Sequence, residues 1–483
     1  MRVLFVASEL YPLIKTGGLA DVAGALPPAL ADRGIEVRCL IPGYPAVLGQ
    51  LQDARPVGPA LELPGSEGRL LLGHAAGIEL VAVDAPALFD RPGNPYLGPD
   101  RRDWPDNHRR FAALAAAAVR IVDGALPGFA PDLVHAHDWQ AGLVPALLAI
   151  RGGRRPATVM TVHNLAYQGL FPRHVLAETG LPESSFRTEG VEYWGQIGFL
   201  KAGLYYADHL TTVSPTYARE IQEPANGLGL EGLLATRAAD LTGILNGIDR
   251  TVWDPAADPH LPAPYDARDP DGKAVSKAAL QRRFGLDERS DALLVGVVSR
   301  LIPEKGLDLL LAVLPDLVSG GGQLALLGSG SDELEQAFLR AAAAAPATIG
   351  VRIGYDEPLA HLIQGGADVI AVPSRMEPCG LTQMYGLRYG TLPLVAGVGG
   401  LFDSVIDANM AALDDGVATG FVFRPVDAAA LRIALRRALE LHAAPEAWRR
   451  IQGRAMSRDF GWKRSAERYA ELYARLLGGR ASG

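Results

Sequence analysis

A chain of 483 residues is too long for one ordinary core, so about two to three domains are expected. With 48% hydrophobic and 21% charged residues it reads as a globular protein with ample core. Its formal charge of −8 argues against nucleic acid as the main partner, because a phosphate backbone needs a basic face. Small anions need only a local cluster of cations and stay open. Cys39 and Cys379 are the only cysteines, too few for a disulfide framework or a Cys-rich metal site. No basic region precedes a long apolar run near the start, and no segment has the length of a membrane span. The expectation is therefore a cytoplasmic protein without a leader and with no membrane partner.

Short β-rich apolar runs alternate with helical patterns along almost the whole chain, the signature of parallel α/β sheets. In the first half, strands are expected at 3–7, 36–41, 78–83, 132–136, 157–162 and 210–213, with helical stretches such as 111–122 and 141–149 between them. A fresh series occupies 293–298, 323–327, 351–353, 369–372 and 392–395. Two series imply two doubly wound domains. Residues 254–272, rich in Pro, Asp and Ala, suit a linker or long surface loop. The tail from Trp462 to Leu477 is amphipathic, with Tyr469, Leu472, Tyr473 and Leu476 on one face, and must pack on something.

The first strand runs into Lys15-Thr16-Gly17-Gly18-Leu19-Ala20-Asp21. A glycine pair between a parallel strand and a helix lets backbone approach a bound group and leaves N–H donors aimed at it, while Lys15 adds a mobile cation. This suits an anionic or polyhydroxylated ligand at the carboxyl end of a sheet. The plain alternative is a tight turn that packs a helix on its strand. A dinucleotide site would need Gly-x-Gly-x-x-Gly and an acidic residue closing the second strand. That strand instead runs into Pro42-Gly43, and nicotinamide binding ranks low.

Further on, His135-Ala136-His137-Asp138-Trp139-Gln140 and His163-Asn164 each close a strand. His135 and His137 alternate along theirs, which disfavours joint ligation of one ion, so structural or sugar-contacting histidines are preferred to metal ligands. Asn246, after the run 241–245, reads either as a left-handed turn residue or as a ligand contact.

In the second half, Arg300 and Lys305 leave a strand together, a planar fork and a point charge suited to a diphosphate. A solvated basic loop with Glu304 as its internal partner is the plain alternative. Gly328-Ser329-Gly330 reads as a turn near the same edge. Pro373-Ser374-Arg375-Met376-Glu377-Pro378-Cys379-Gly380-Leu381-Thr382-Gln383 closes another strand and starts a helix near Leu381. Glu377 there can accept from sugar hydroxyls or serve the helix dipole. Cys379 has no histidine nearby in sequence to activate it and reads as a packing or weak hydrogen-bonding residue.

In order, the segments Lys15–Asp21, His135–Gln140, Thr161–Gly169, Asn246–Pro255, Ser299–Gly306 and Glu377–Gln383 resemble those of bacterial glycogen synthases, kin of plant starch synthases. Arg91–Tyr96 and Asp103–Asn107 extend the resemblance over nearly the whole chain. It implies the GT-B architecture, two Rossmann-like domains facing across a cleft that closes on the donor. The domains would be 1–253, carrying acceptor and catalytic groups, and 254–461, holding the nucleotide sugar, with 462–483 a helix packing back on the first. It implies transfer of glucose from ADP-glucose to the non-reducing 4-hydroxyl of an α-1,4-glucan such as glycogen, with retention and without a cofactor or metal. Lys15, with Gly17 and Gly18, would hold the donor. Arg300 and Lys305 would take the diphosphate and Glu377 the glucose hydroxyls, with Cys379, Gly380, Leu381 and Thr382 beside it. Asp138, His163, Asn164 and Asn246 would line the glucose pocket, with Tyr96 at its edge.

Two departures stand out. The family usually has Gln where Glu304 stands, and after Val395 a basic residue and Thr-Gly-Gly-Leu-Ala-Asp. Here the chain reads Ala396-Gly397-Val398-Gly399-Gly400-Leu401-Phe402-Asp403, and the lost cation would weaken nucleotide contacts. Rival readings are a retaining GT-B transferase using a UDP- or GDP-sugar and a non-catalytic glucan-binding scaffold.

Overall fold

The computed structural model describes residues 1–153 and 155–481, so the last two residues of the expected tail lie outside the described residues. The chain divides into two compact units. Residues 1–247, with the segment from Trp462 on, form the first, and 248–461 the second.

In the first unit the described strands are β1 (Arg2–Val6), β2 (Glu36–Pro42), β3 (Gln52–Leu63), β4 (Ser66–Ala75), β5 (Ile78–Asp84), β6 (Leu133–His137), β7 (Ala157–Val162), β8 (Leu170–Pro172), β9 (Glu192–Tyr193), β10 (Gln196–Gly198), β11 (His209–Thr212) and β12 (Leu241–Gly243). Nine of them form one sheet in the order β12-β11-β7-β6-β1-β2-β5-β4-β3. All its pairings are parallel except the antiparallel edge β5-β4-β3. β8, β10 and β9 form a small antiparallel sheet of their own. Central strands are buried on both faces, so they read as continuous apolar runs, and β1 and β7 are buried almost throughout.

Helix Gly18–Ala31 follows β1 and buries Leu19, Val22, Ala23 and Leu26, the predicted face. Helix Trp462–Ala481 packs against it, with Trp462, Ala466, Tyr469, Leu472 and Tyr473 buried and Leu476 half-buried. Burying each large side chain stabilises by about 2 kcal/mol, and Tyr473 also meets His135 Nδ1 through its hydroxyl at 2.7 Å.

The second unit holds β13 (Leu294–Val298), β14 (Gln323–Gly328), β15 (Ile349–Ile353), β16 (Val369–Val372), β17 (Leu392–Ala396) and β18 (Phe421–Phe423). They pair in parallel in the order β15-β14-β13-β16-β17-β18. That is the Rossmann order, reversing beside the first strand. The first unit reverses likewise, between β1 and β6. Both units are thus doubly wound α/β domains.

Up to the helix that starts at Asp271, residues 254–272 form a long, largely exposed loop, as expected, but one pinned to the second unit rather than a free linker. Tyr265 is buried and donates to the carbonyls of Gly365 and Tyr389, and Asp254 pairs with Arg388 at 2.7 Å. Trp253 is sandwiched between His361 and Tyr385, with centroids 3.9 and 3.7 Å away. Residues 248–253 accordingly group with the second unit rather than the first. Proline and aspartate marked irregular backbone here, but the aromatic side chains between them decided that it packs.

Asp258 anchors the same segment, accepting from Tyr389 at 2.5 Å and meeting His361 Nδ1 at 2.7 Å. Burial opposes charge on His361, but Asp258 and Glu357 outweigh it and raise its pKa to about 9. Because this folded value exceeds the unfolded one, the pair's contribution is full below about pH 6.5 and is lost as pH rises through about 9. Urea unfolding of the second unit should therefore weaken across that window, and His361→Gln should flatten the dependence; equal slopes in both proteins would refute it.

Candidate functional site

In a doubly wound sheet, ligands bind beyond the carboxyl ends of the strands, where the order reverses. In the second unit this point lies between β13 and β16. A cavity of about 140 Å³ opens there, and its lining includes Arg300, Lys305, Ser374, Glu377, Gly380, Leu381 and Thr382. Lys305 donates from Nζ to Glu377 Oε2 at 2.6 Å, and Ser374 Oγ donates to the same oxygen at 2.8 Å. Glu377 thus has fixed partners other than a helix terminus, and the following helix, Thr382–Arg388, is short. Nor is Glu304 the partner of Lys305; it is exposed, and its carbonyl accepts from the Arg375 amide. Arg300 is exposed and makes no ion pair among the described residues. Two cations and one carboxylate leave the cavity with a positive excess.

The two loops are laced together. Arg375 grips Asp308 with both guanidinium nitrogens, at 2.7 and 2.6 Å, and donates to Pro303 O. Gln383 Nε2 donates to the carbonyls of Cys379 and Gly380. Cys379 is buried and takes no part in the cavity lining. Gly399 and Gly400 press on the Glu377 loop from below. A Cβ at either would stand 2.1 Å from Glu377 O or Cys379 O, and Gly400 N donates to Glu377 O at 3.2 Å. These glycines hold the loop of Glu377 in place.

Where the cation is missing after Val395, the backbone lies against another cation. Arg424, following β18, donates from Nε to Gly397 O at 2.6 Å, and its guanidinium lies 3.9 Å from the centroid of Phe402. A Cβ on Gly397 would come within 2.3 Å of that Nε. Arginine at 424, glycine at 397 and phenylalanine at 402 therefore fit as a set, and a cation does stand at this edge.

In the first unit the reversal lies between β1 and β6. Glu9, just beyond β1, is buried and was missed in the sequence reading, although an acidic residue closing an apolar strand is a visible signal. Its carboxylate accepts from the Thr16 amide, from Thr16 Oγ1 at 2.5 Å, from Gly17 N at 3.2 Å and from the Tyr96 hydroxyl. The amides of Thr16 and Gly17 are thus held by Glu9 rather than left free. Lys15 is exposed but pairs with Asp21 at 2.8 Å, so it is not a free cation. Gly17 and Gly18 face open space, where an added Cβ would meet nothing within 4 Å. Internal packing does not require glycine there.

Beyond β6, Asp138 opens a short helix with φ of 53° and accepts from the His163 amide at 2.7 Å. Burial pushes its carboxyl up to about 7, against the amides of His163 and Asn164 and with the nearby charge of Glu9. Burial lowers His163 to about 3, so its ring is neutral, and its Nε2 lies 2.9 Å from His137 Nδ1. Asn164 caps the Ala166 amide at 3.0 Å. Tyr96 packs 6.2 Å from the Trp139 ring, which joins the two clusters. Asn246 lies beyond β12, with β11 and β7 between it and β6. It is buried, and its Oδ1 has no partner among the described residues.

His135 and His137 lie on the same face of β6, not on opposite ones as expected from alternation. Residues two apart on a strand share a face, and these rings lie 4.0 Å apart. Burial keeps both neutral, and His135 is occupied by Tyr473 and Thr161. Among the described residues no group of three or more His, Cys, Asp or Glu is placed to hold a metal. No helix there is long and apolar enough to cross a membrane.

Residues 2–236 match the family described as starch synthase catalytic domain, and 280–453 match glycosyl transferases group 1. A glycogen synthase of Rhodopseudomonas palustris (strain HaA2) is 57% identical over 477 residues, covering 99% of each chain. One from Methylocella silvestris is 56% identical with the same coverage. Among solved structures, the catalytic domain of starch synthase IV from Arabidopsis thaliana, bound to ADP and acarbose, superposes with a TM-score of 0.88 at 32% identity and 99% coverage of both chains. A sucrose-phosphate synthase from Thermosynechococcus elongatus, at 18% identity and a TM-score of 0.60, shares the fold.

The Arg424 set yields a stability test. Gly397→Arg should lower the thermal midpoint through overpacking worth about 1–3 kcal/mol. Adding Arg424→Ala should restore most of the loss; additive losses would contradict the set.

Proposed function

The chain belongs to the glycogen and starch synthase family of glycosyltransferases, and from that we propose that its two switch-point edges carry out glucosyl transfer from ADP-glucose. The protein is a glycosyltransferase that elongates a glucan from a nucleotide-sugar donor. The carrying observation is the cavity between β13 and β16, where Arg300 and Lys305 stand beside Glu377.

Arg300 and Lys305 neutralise the diphosphate as the bond from glucose C1 to the phosphate oxygen breaks. This electrostatic role grows toward the transition state. The diphosphate competes with Glu377 for Lys305, which frees Glu377 Oε2 to accept from donor glucose hydroxyls. Gly380, Leu381 and Thr382 border the sugar, with Cys379 beneath them. Lys15 and the open faces of Gly17 and Gly18 serve the donor from the first unit. Asp138, His163, Asn164 and Asn246 serve the glucose, and Tyr96 supports them through Glu9. The acceptor's 4-hydroxyl oxygen forms the new bond to C1 on the face the diphosphate leaves. Its proton passes to the departing phosphate oxygen, giving ADP and a glucan one unit longer with retained configuration. Neutral His163 adds no positive charge beside the developing oxocarbenium ion, and ionised Asp138 stabilises that charge.

ADP release with glycogen as acceptor, measured for ADP-glucose and UDP-glucose, tests the reading. Faster turnover of ADP-glucose is expected, and a clear preference for UDP-glucose would overturn the donor assignment. Arg300→Ala and Lys305→Ala should each lower kcat by roughly 10²–10³ with little change in glycogen KM. Glu377→Ala should be at least as damaging and Glu377→Gln milder, since shape and one acceptor survive. Because the Asp138 carboxyl titrates near 7, kcat/KM should rise with pH through that value, and a flat profile would remove Asp138 from this role.

A further inference from the structure

Where the chain leaves the loop of His163 and Asn164, it builds a feature that none of these roles uses. The small sheet β8-β10-β9 is inserted between β7 and β11. At the tip of its hairpin stands Trp194, 80% exposed with φ of 49°, followed by Gly195 with φ of 79°. Two-residue turns with two positive φ angles select Asn, Asp or Gly, so tryptophan is a costly choice there and recovers nothing by burial. Leu228 repeats the pattern, a large apolar residue at φ of 51° that is 43% exposed. Tyr167 is 53% exposed as well.

These three belong to one surface. The Leu228 carbonyl accepts from Tyr193 Oη at 2.6 Å and from Gln168 Nε2 at 3.1 Å, the immediate neighbours of Trp194 and Tyr167. A Cβ on Gly229 would lie 3.4 Å from Trp194 Nε1. Tyr167 in turn donates its amide to Asn164 O at 3.3 Å, which makes the surface continuous with the His163–Asn164 edge. Strained backbone that displays large apolar side chains to water is characteristic of a binding surface.

We propose that Tyr167, Trp194 and Leu228 form a stacking platform for the α-1,4-glucan acceptor, holding pyranose rings behind the sugar that receives glucose. This rests on the glucan-elongating reading. Pyranose rings present apolar C–H faces rimmed by hydroxyls, so an indole and a phenol ring flanked by amide and hydroxyl groups match their chemistry, and no charged side chain is needed.

Trp194→Asn separates platform from scaffold, because asparagine suits the left-handed turn better than tryptophan does. The variant should keep or raise the thermal midpoint while the KM for maltoheptaose rises roughly tenfold, kcat falls far less, and the KM for ADP-glucose holds. Trp194→Phe should fall between the two. If wild-type enzyme elongates maltoheptaose and Trp194→Asn has the same acceptor KM, the platform is overturned and the function stands. If wild-type enzyme transfers no glucose to glucan, both fall. A change in sedimenting mass with an unchanged acceptor KM would make the surface an interface between copies and likewise overturn it.

Discussion

Each sheet places its first strand between neighbours whose chains depart in opposite directions, and the candidate functional groups beside β1 and β13 depend on that reversal. Beside β1 and β6, and again beside β13 and β16, the loops leaving the carboxyl ends diverge and cannot fill the space between them. A gap lined by loop residues is the unavoidable result. Loops in such a gap would wander without anchors, and each unit supplies them from a different source. The first uses one buried carboxylate, Glu9, which gathers the Lys15 loop and Tyr96. The second uses backbone contact, with Gly399 and Gly400 under the Glu377 loop, and side-chain ties from Arg375 and Gln383.

The two edges differ in charge as well as in anchoring. In the second unit the groups are ionic, with Lys305 and Glu377 paired at 2.6 Å and Arg300 unpaired among the described residues. An anionic ligand can enter such a site by exchanging partners. In the first unit the histidines are buried and neutral and Asp138 titrates near 7, so the environment carries little fixed charge. The ionic edge has the chemistry to hold an anion, and the nearly uncharged one the chemistry to hold a neutral polyhydroxylated group.

Much of this was legible in sequence because buried parallel strands are apolar runs closed by functional residues. The cores of β1, β6, β7, β13 and β16 were expected within a residue or two, and with them the places of Asp138, His163, Arg300 and Glu377. The hairpin β3–β4 was not, because β3 is largely exposed and carries Pro56, Gly58 and Pro59, which erase the period-two signal. β18 is only Phe421–Phe423, too short to stand out. Pairings across long sequence separations were hidden in principle: Lys305 with Glu377, Arg424 with Gly397, and Tyr265 with the core under residues 254–272. Lys15 was legible as a cation but not as the partner of Asp21. The histidine pair was misjudged through strand geometry, not through want of signal.

Whether both edges act in one chemical step is read most directly by single-turnover cleavage of bound ADP-glucose on mixing with maltoheptaose. Asp138→Asn changes only the first unit, and Lys305→Ala only the second. If the edges serve one transfer, each substitution slows ADP release in that first turnover by at least about tenfold, while maltoheptaose and donor still bind. Normal first-turnover release in Asp138→Asn, beside a slow Lys305→Ala, would assign the chemistry to the second unit alone and contradict a shared step.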